Sequence, residues 1–199
     1  MQHVTIVLLA GGRATRLPGK LARAVGDEPM LVRVFRRLTS GGRPCIVSVR
    51  ESLPPELAAL ISAPVVADAY GDVGPLGALA SAAAHVRTPL LFAAAGDLVN
   101  INAGIIDALE QRFHEEAAKS QTSPQAVLPR HANGDVEPLA ALYDTAALLA
   151  SAVKTLAQGR KKVTQALEGL RVVHYAIGAD EATFLNINTP EDAAGMLRS

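Results

Sequence analysis

A chain of 199 residues, 49% hydrophobic and 19% charged, has the length and composition of one globular domain with a buried core. Its 19 basic and 19 acidic side chains cancel, so the net charge gives no reason to expect a nucleic-acid partner or an anionic membrane. The single cysteine, Cys45, excludes an internal disulfide and is compatible with a reducing cytoplasm, the expected location.

In chain order, Val4 to Ala10 reads as a buried strand, and Gly11-Gly12-Arg13 cuts it off too soon for a secretory signal. Met30, Leu31, Val34, Phe35 and Leu38 recur at helical spacing over Pro29 to Thr39. Cys45 to Val49 is a second strand, in which Cys45 is core filler rather than a nucleophile. Pro54 to Ile61 is a helix opened by prolines, Pro64 to Ala67 a short strand, and Leu76 to Val86 an alanine-rich helix. Leu90 to Ala95 is another buried strand, far too short to span a bilayer. Ile105, Ile106, Leu109 and Phe113 mark a helix face, with Asn102 as its N-cap.

The second half is more mixed. Lys119 to Pro124 is a polar loop. Ala126 to Pro129, Leu139 to Tyr143 and Val172 to Ala176 read as strands, and Thr145 to Ala157 and Val163 to Leu170 as helices. Thr189-Pro190-Glu191-Asp192 opens a final helix, with Thr189 as N-cap and acids in the first turn. Strands alternating with helices, and nearly continuous apolar strands, predict a three-layer α/β/α fold, Rossmann-like, with a mostly parallel sheet. Residues 1–199 are expected to form one domain.

In such sheets ligands bind beyond the carboxyl ends of the strands. The residues of interest fall there: Gly11 to Lys20, Asp68 and Asp97. The loop after the first strand carries the clearest signal. Leu9, Ala10, Gly11 and Gly12 bring backbone close to a ligand without Cβ atoms in the way, and turned N–H groups bind phosphate oxygens. Arg16 and Lys20 add two full positive charges. The P-loop is excluded because Gly19-Lys20 is followed by Leu21, and the dinucleotide fingerprint because its glycine spacing is absent. His3, His85, His114, His131 and His174 lack metal-ligand spacing, and no nucleophilic triad order stands out, so each is read as an ordinary histidine.

Leu9-Ala10-Gly11-Gly12, then Arg16-Leu17 and Gly19-Lys20, resembles the signature of the MobA-like nucleotidyltransferases, and within that group the molybdenum cofactor guanylyltransferase family. The family loop is usually longer and commonly ends Met-Gly-x-Asp-Lys; this one is shorter. Asp68 followed by Gly74-Pro75-Leu76-Gly77 resembles the segment the family places near the purine. There a carboxylate accepts from guanine N1–H and its exocyclic amine. Gly96-Asp97-Leu98-Val99 stands where the family has Cys-Asp-x-Pro, so the resemblance assigns Mg²⁺ binding to Asp97. Glu137-Pro138 to Tyr143, Gly159-Arg160-Lys161-Lys162, and Phe184-Leu185-Asn186-Ile187-Asn188-Thr189-Pro190-Glu191-Asp192 resemble the acceptor half. Pro138, Arg160, Lys161, Asn186 and Asn188 are its expected acceptor-binding residues. The split falls near residue 100, with the nucleoside triphosphate in the first half.

The resemblance implies transfer of GMP from GTP to molybdenum-bound molybdopterin, releasing pyrophosphate, with catalysis by Arg16, Lys20 and Asp97. It also implies transient contact with molybdenum cofactor insertion proteins. An acceptor phosphate with a second pKa near ~6 is already anionic and needs no general base. Two other readings stay open: a cytidylyltransferase acting on molybdopterin or a sugar or polyol phosphate, and a degenerate nucleotide-binding accessory protein.

Overall fold

The computed structural model describes residues 3–11, 20–71 and 73–184. Strand β1 (Val4–Leu9) is buried at every position, as a strand covered on both faces must be. A 3-10 turn at Lys20–Ala22 and a short hairpin, β2 (Ala24–Val25) with β3 (Glu28–Pro29), lead into helix α1 (Met30–Thr39). Then come β4 (Cys45–Val49), the single-turn α2 (Pro55–Ala58), β5 (Val65–Ala67), α3 (Pro75–Ala83) and β6 (Leu90–Ala95). The rest runs α4 (Ala103–Lys119), β7 (Ala126–Arg130), β8 (Ala140–Asp144), α5 (Thr145–Ala157), α6 (Val163–Leu167), β9 (Val172–Ala176) and a 3-10 turn over Gly178–Phe184.

The seven strands of the main sheet stand in the order β5-β4-β1-β6-β8-β7-β9. β5, β4, β1 and β6 are mutually parallel, and β8 alone runs against its neighbours. Alternation along a strand sends successive side chains to opposite faces. Ile6 and Leu8 therefore join Val47 and Phe92 under α1 and α4, while Val7 and Leu9 join Ile46 and Leu91 under α3, α5 and α6. That is the predicted three-layer architecture.

Most predicted elements are present with ends shifted by a few residues. Asn102 caps α4 as expected, its side chain accepting from the Gly104 N–H at 2.9 Å. Asp144 performs the same task for α5, accepting from the Ala147 N–H at 2.8 Å. The β2–β3 hairpin was not foreseen, being too short to show an alternation. The helix expected from Thr189 to Asp192 lies outside the described residues.

Cys45 sits in β4 at 7% exposure, and burial pushes its thiol up to about 12. The thiolate is the reactive form, so little of it exists in the folded chain near neutral pH. The expected outcome is that a disulfide reagent at pH 8 leaves Cys45 unmodified in buffer and titrates one thiol per chain in denaturant. Rapid modification of folded protein would contradict its core position.

Candidate active site

Register sets the site. Leu9 lies opposite Ser48 of β4 and Ala95 of β6, and Val49 opposite Ala67 of β5. Continued past the strand ends, the same register sets Asp68, Arg50, Gly11 and Asp97 in one row along the carboxyl edge. The pairing does continue: Asp68 N–H donates to the Val49 carbonyl at 2.9 Å, Ala10 N–H to Ser48 at 2.7 Å, and Gly96 N–H to Leu9 at 3.0 Å. Three strand spacings separate the ends of the row, or about 14 Å.

Glycine is needed in this row for the strands themselves. A Cβ on Gly11 would stand 3.0 Å from the Arg50 backbone nitrogen, and one on Gly96 would stand 2.9 Å from Leu31 Cδ1 and 3.0 Å from the Leu9 carbonyl oxygen. Gly96 thus lets β6 end against β1 and α1, which fixes where the next residue, Asp97, emerges.

Lys20 meets Asp97 there. Its ammonium donates to Asp97 Oδ2 at 2.8 Å, with the side chains 14% and 27% exposed. Lys20 is placed by the 3-10 turn whose Leu21 and Ala22 pack on the core beside α1. The segment after Asp97 turns to the same face, with Leu98, Val99 and Ile101 buried in that layer. The shortened loop therefore still delivers its lysine to the acid. The other Asp97 oxygen takes no bond from a described residue. No cluster of three or more His, Cys, Asp or Glu side chains suited to a metal occurs among the described residues. A single carboxylate at a cationic edge fits a Mg²⁺ ion completed by phosphate oxygens and water rather than a cage of protein ligands.

Asp68 is half engaged. Its Oδ1 accepts from the Tyr70 N–H at 2.9 Å and lies 3.1 Å from the Ser81 hydroxyl, tying β5 to α3. Oδ2 takes no bond from a described residue. Gly74 has φ +84°, a conformation glycine adopts readily, and Pro75 follows at the first turn of α3. Leu76 is wholly buried, and Leu9 is 5% exposed, so their side chains belong to the core and only backbone atoms remain to meet a ligand. Ala10 and Gly11 are partly exposed.

On the side expected to take the acceptor, β8 begins at the carboxyl edge because it is antiparallel to β6. Its first residues follow Pro138, whose carbonyl accepts from the Tyr143 hydroxyl at 2.7 Å. Burial raises the Tyr143 phenol far above its usual range, so it remains a donor. α5 starts at the opposite edge, where Thr145 N–H donates to Pro89, and climbs back. Arg160 and Lys161 follow α5 and so return to the carboxyl edge. Arg160 there pairs with Glu168, and the backbone N–H groups of Lys161 and Lys162 donate to Gln165 Oε1 at 3.0 Å. Gly12, Arg16, Asn186 and Asn188 lie outside the described residues.

Two features escaped the sequence reading. Arg50 obeys the rule that picked out Asp68 and Asp97, a polar residue just after an apolar strand, and that rule would have found it. His131, just beyond β7, sits 2.9 Å by Nε2 from Glu137 Oε1. No spacing rule flags that pair, because a turn through Asn133-Gly134 folds it together.

A family model described as the MobA-like NTP transferase domain matches residues 6–172. The chain belongs to that family. It is therefore of the transferase class, as its nucleotidyltransferase relatives are. The molybdenum cofactor guanylyltransferase of Burkholderia ambifaria (strain MC40-6) is 30% identical over 98% of this chain and 96% of its own. That of Burkholderia vietnamiensis (strain G4) matches equally, at 30% with the same coverage. Among solved structures, molybdopterin-guanine dinucleotide biosynthesis protein A from Archaeoglobus fulgidus superposes with a TM-score of 0.75 at 22% identity, covering 96% of this chain and 95% of that one. A cytidylyltransferase from Leptospira borgpetersenii superposes with a TM-score of 0.70 at 19% identity, covering 96% and 84%. Both confirm the mostly parallel α/β fold. No helix among the described residues is long and apolar enough to cross a membrane.

Gly96→Ala tests the packing that aims Asp97. Its Cβ would press on backbone as well as on Leu31, so the family member should lose about 1–3 kcal/mol in a urea titration. Unchanged stability would mean that the β1–β6 ends have slack.

Proposed function

We propose that this chain transfers GMP from GTP to the terminal phosphate of molybdenum-bound molybdopterin in the cytoplasm, yielding a guanine dinucleotide and pyrophosphate. The observation that carries the reading is the meeting of Lys20 and Asp97 beyond Gly11, in a family member whose full-length relatives bear that activity in their names.

In this reading the base lies at Asp68, whose Oδ2 accepts from guanine N1–H and the exocyclic amine. Gly74, Pro75 and the backbone of Leu76 border the base, and Leu9, Ala10, Gly11 and Gly12 line the path toward the phosphates. Arg16 and Lys20 grip the triphosphate. Asp97 would hold Mg²⁺, which when bound would supply charge neutralisation at the phosphates. Lys20 exchanges its partner, Asp97, for phosphate oxygens as GTP arrives, which leaves the carboxylate available. The acceptor phosphate attacks the α-phosphorus as an anion, the bond to the β-phosphate breaks, and pyrophosphate leaves on the Arg16 and Lys20 charges. Pro138, Arg160, Lys161, Asn186 and Asn188 receive the pterin and its phosphate, so the first half serves GTP and the second the acceptor. The finished cofactor then passes to molybdenum cofactor insertion proteins.

Asp97→Ala should lower kcat by about a hundredfold or more while the melting temperature holds. Near-normal turnover in that variant at saturating Mg²⁺ would refute the assignment. Lys20→Ala should cut kcat/KM for GTP about 10- to 100-fold.

The shared fold with a cytidylyltransferase supports CTP as the one competing base. Melting curves with Mg²⁺ and each of GTP, CTP, ATP and UTP separate them, because a ligand stabilises by RT ln(1 + [L]/Kd). GTP should raise the melting temperature most; a larger shift with CTP reverses the base. Pyrophosphate release on adding molybdopterin distinguishes an enzyme from a nucleotide-binding accessory.

A further inference from the structure

The loop between β7 and β8 carries Pro138 and, beside it, a polar pair to which the proposed reaction assigns no role. His131 Nε2 and Glu137 Oε1 are 2.9 Å apart, each about a quarter exposed. The loop is closed by backbone bonds from His131 N–H to Asp135 and from Glu137 N–H to Pro129, at 2.8 and 3.0 Å. From this pair three connections spread. Glu137 directly precedes Pro138, whose carbonyl is held by Tyr143. Leu139, one residue further on, accepts at 2.8 Å from the N–H of Ala95, two residues before Asp97. The His131 ring meets the Phe184 ring edge to face, with centroids 6.2 Å apart, and Phe184 is 3% exposed. Phe184 is the last described residue before the Leu185 to Asn188 segment.

We infer that His131 and Glu137 are positioning residues for the acceptor: their hydrogen bond holds the Pro138 segment and Phe184 together, and so sets the acceptor site at a fixed distance from Asp97. The inference rests on the proposed function, since it concerns the acceptor of that reaction. It explains why a partly buried polar pair is kept at this edge. The ring supplies one face for Phe184 and one nitrogen for the carboxylate, and a purely apolar residue could supply only the first. Without the bond, both segments gain freedom that binding must then remove.

The test uses the full chain, saturating GTP and Mg²⁺, and molybdenum-bound molybdopterin (molybdopterin below) as the varied substrate, read as pyrophosphate release. His131→Ala and Glu137→Ala should each raise KM for molybdopterin about tenfold. The KM for GTP, kcat and the GTP-induced melting shift should be unchanged. The double variant should be no worse than either single one, because the two act as a unit. His131→Gln, which keeps an N–H donor, should recover most of the loss. Should the alanine variants fail to fold, Glu137→Met removes the acceptor at similar size, and its effect is read in the same KM. An unaltered KM for molybdopterin in these variants overturns the proposal, and so does a matching rise in the KM for GTP with a lower melting temperature, which is general structural damage. A wild-type chain that releases no pyrophosphate from GTP and molybdenum-bound molybdopterin overturns the proposed function and this inference with it. Normal wild-type turnover beside unaffected variants overturns the inference alone.

Discussion

The in-register parallel pairing of β5, β4, β1 and β6 is the constraint on which the rest depends. Residues far apart in the chain become neighbours only because each follows its strand by the same number of steps. Asp68, Arg50, Gly11 and Asp97 stand in one row for that reason. A one-residue slip of β6 would send Asp97 to the opposite face, since side chains alternate. Burial on both faces prevents the slip: Phe92 belongs under α1 and α4, and Leu91 under α3 and α5. The hydrophobic core thus acts on chemistry through register.

The Lys20–Asp97 pair shows how the row is completed. A parallel strand pair leaves its outgoing loops on the same edge, and here both loops turn to the α1 face. The ammonium and the carboxylate approach to 2.8 Å without either lying in a regular element of the main sheet. Such a pair is modest as a source of stability, because removing two charges from water offsets much of their attraction. Its value in the proposed reaction lies elsewhere. Two opposite charges held at one point can both be turned to an arriving triphosphate and its cation, each leaving the other for a stronger partner.

The proposed acceptor side is built on a different principle. β8 runs antiparallel, so its amino end, rather than its carboxyl end, reaches the same edge. Pro138 comes to the crevice by entering a strand, whereas Asp97 comes by leaving one. The bond from Ala95 to Leu139 is where the two halves are joined. A seven-stranded sheet continues through that junction, so the proposed nucleotide and acceptor sides share one sheet.

Much of this was legible in the amino-acid order. Apolar runs at Val4 to Leu9, Cys45 to Val49 and Leu90 to Ala95 declare buried strands, and the glycines and acids that follow them mark the edge where ligands are expected. These are local properties: periodicity, caps and turn residues act within a few positions. Cys45 was rightly read as core on that basis. The reading stopped where contacts depend on long separations. Nothing local says that Lys20 reaches Asp97, that Gly11 must be bare because the Arg50 backbone approaches it, or that half of the Asp68 carboxylate is spent on α3. Leu76 matched a nucleotide-binding motif, yet its side chain belongs to the core. The His131–Glu137 pair was invisible because two polar residues six positions apart in a loop have no preferred geometry until the strands on either side fix the loop's ends. The order of residues alone determined which elements form and which family they belong to; only the packed sheet decided which side chains share an edge, because that depends on strand order and register, which arise from burial of the whole chain at once.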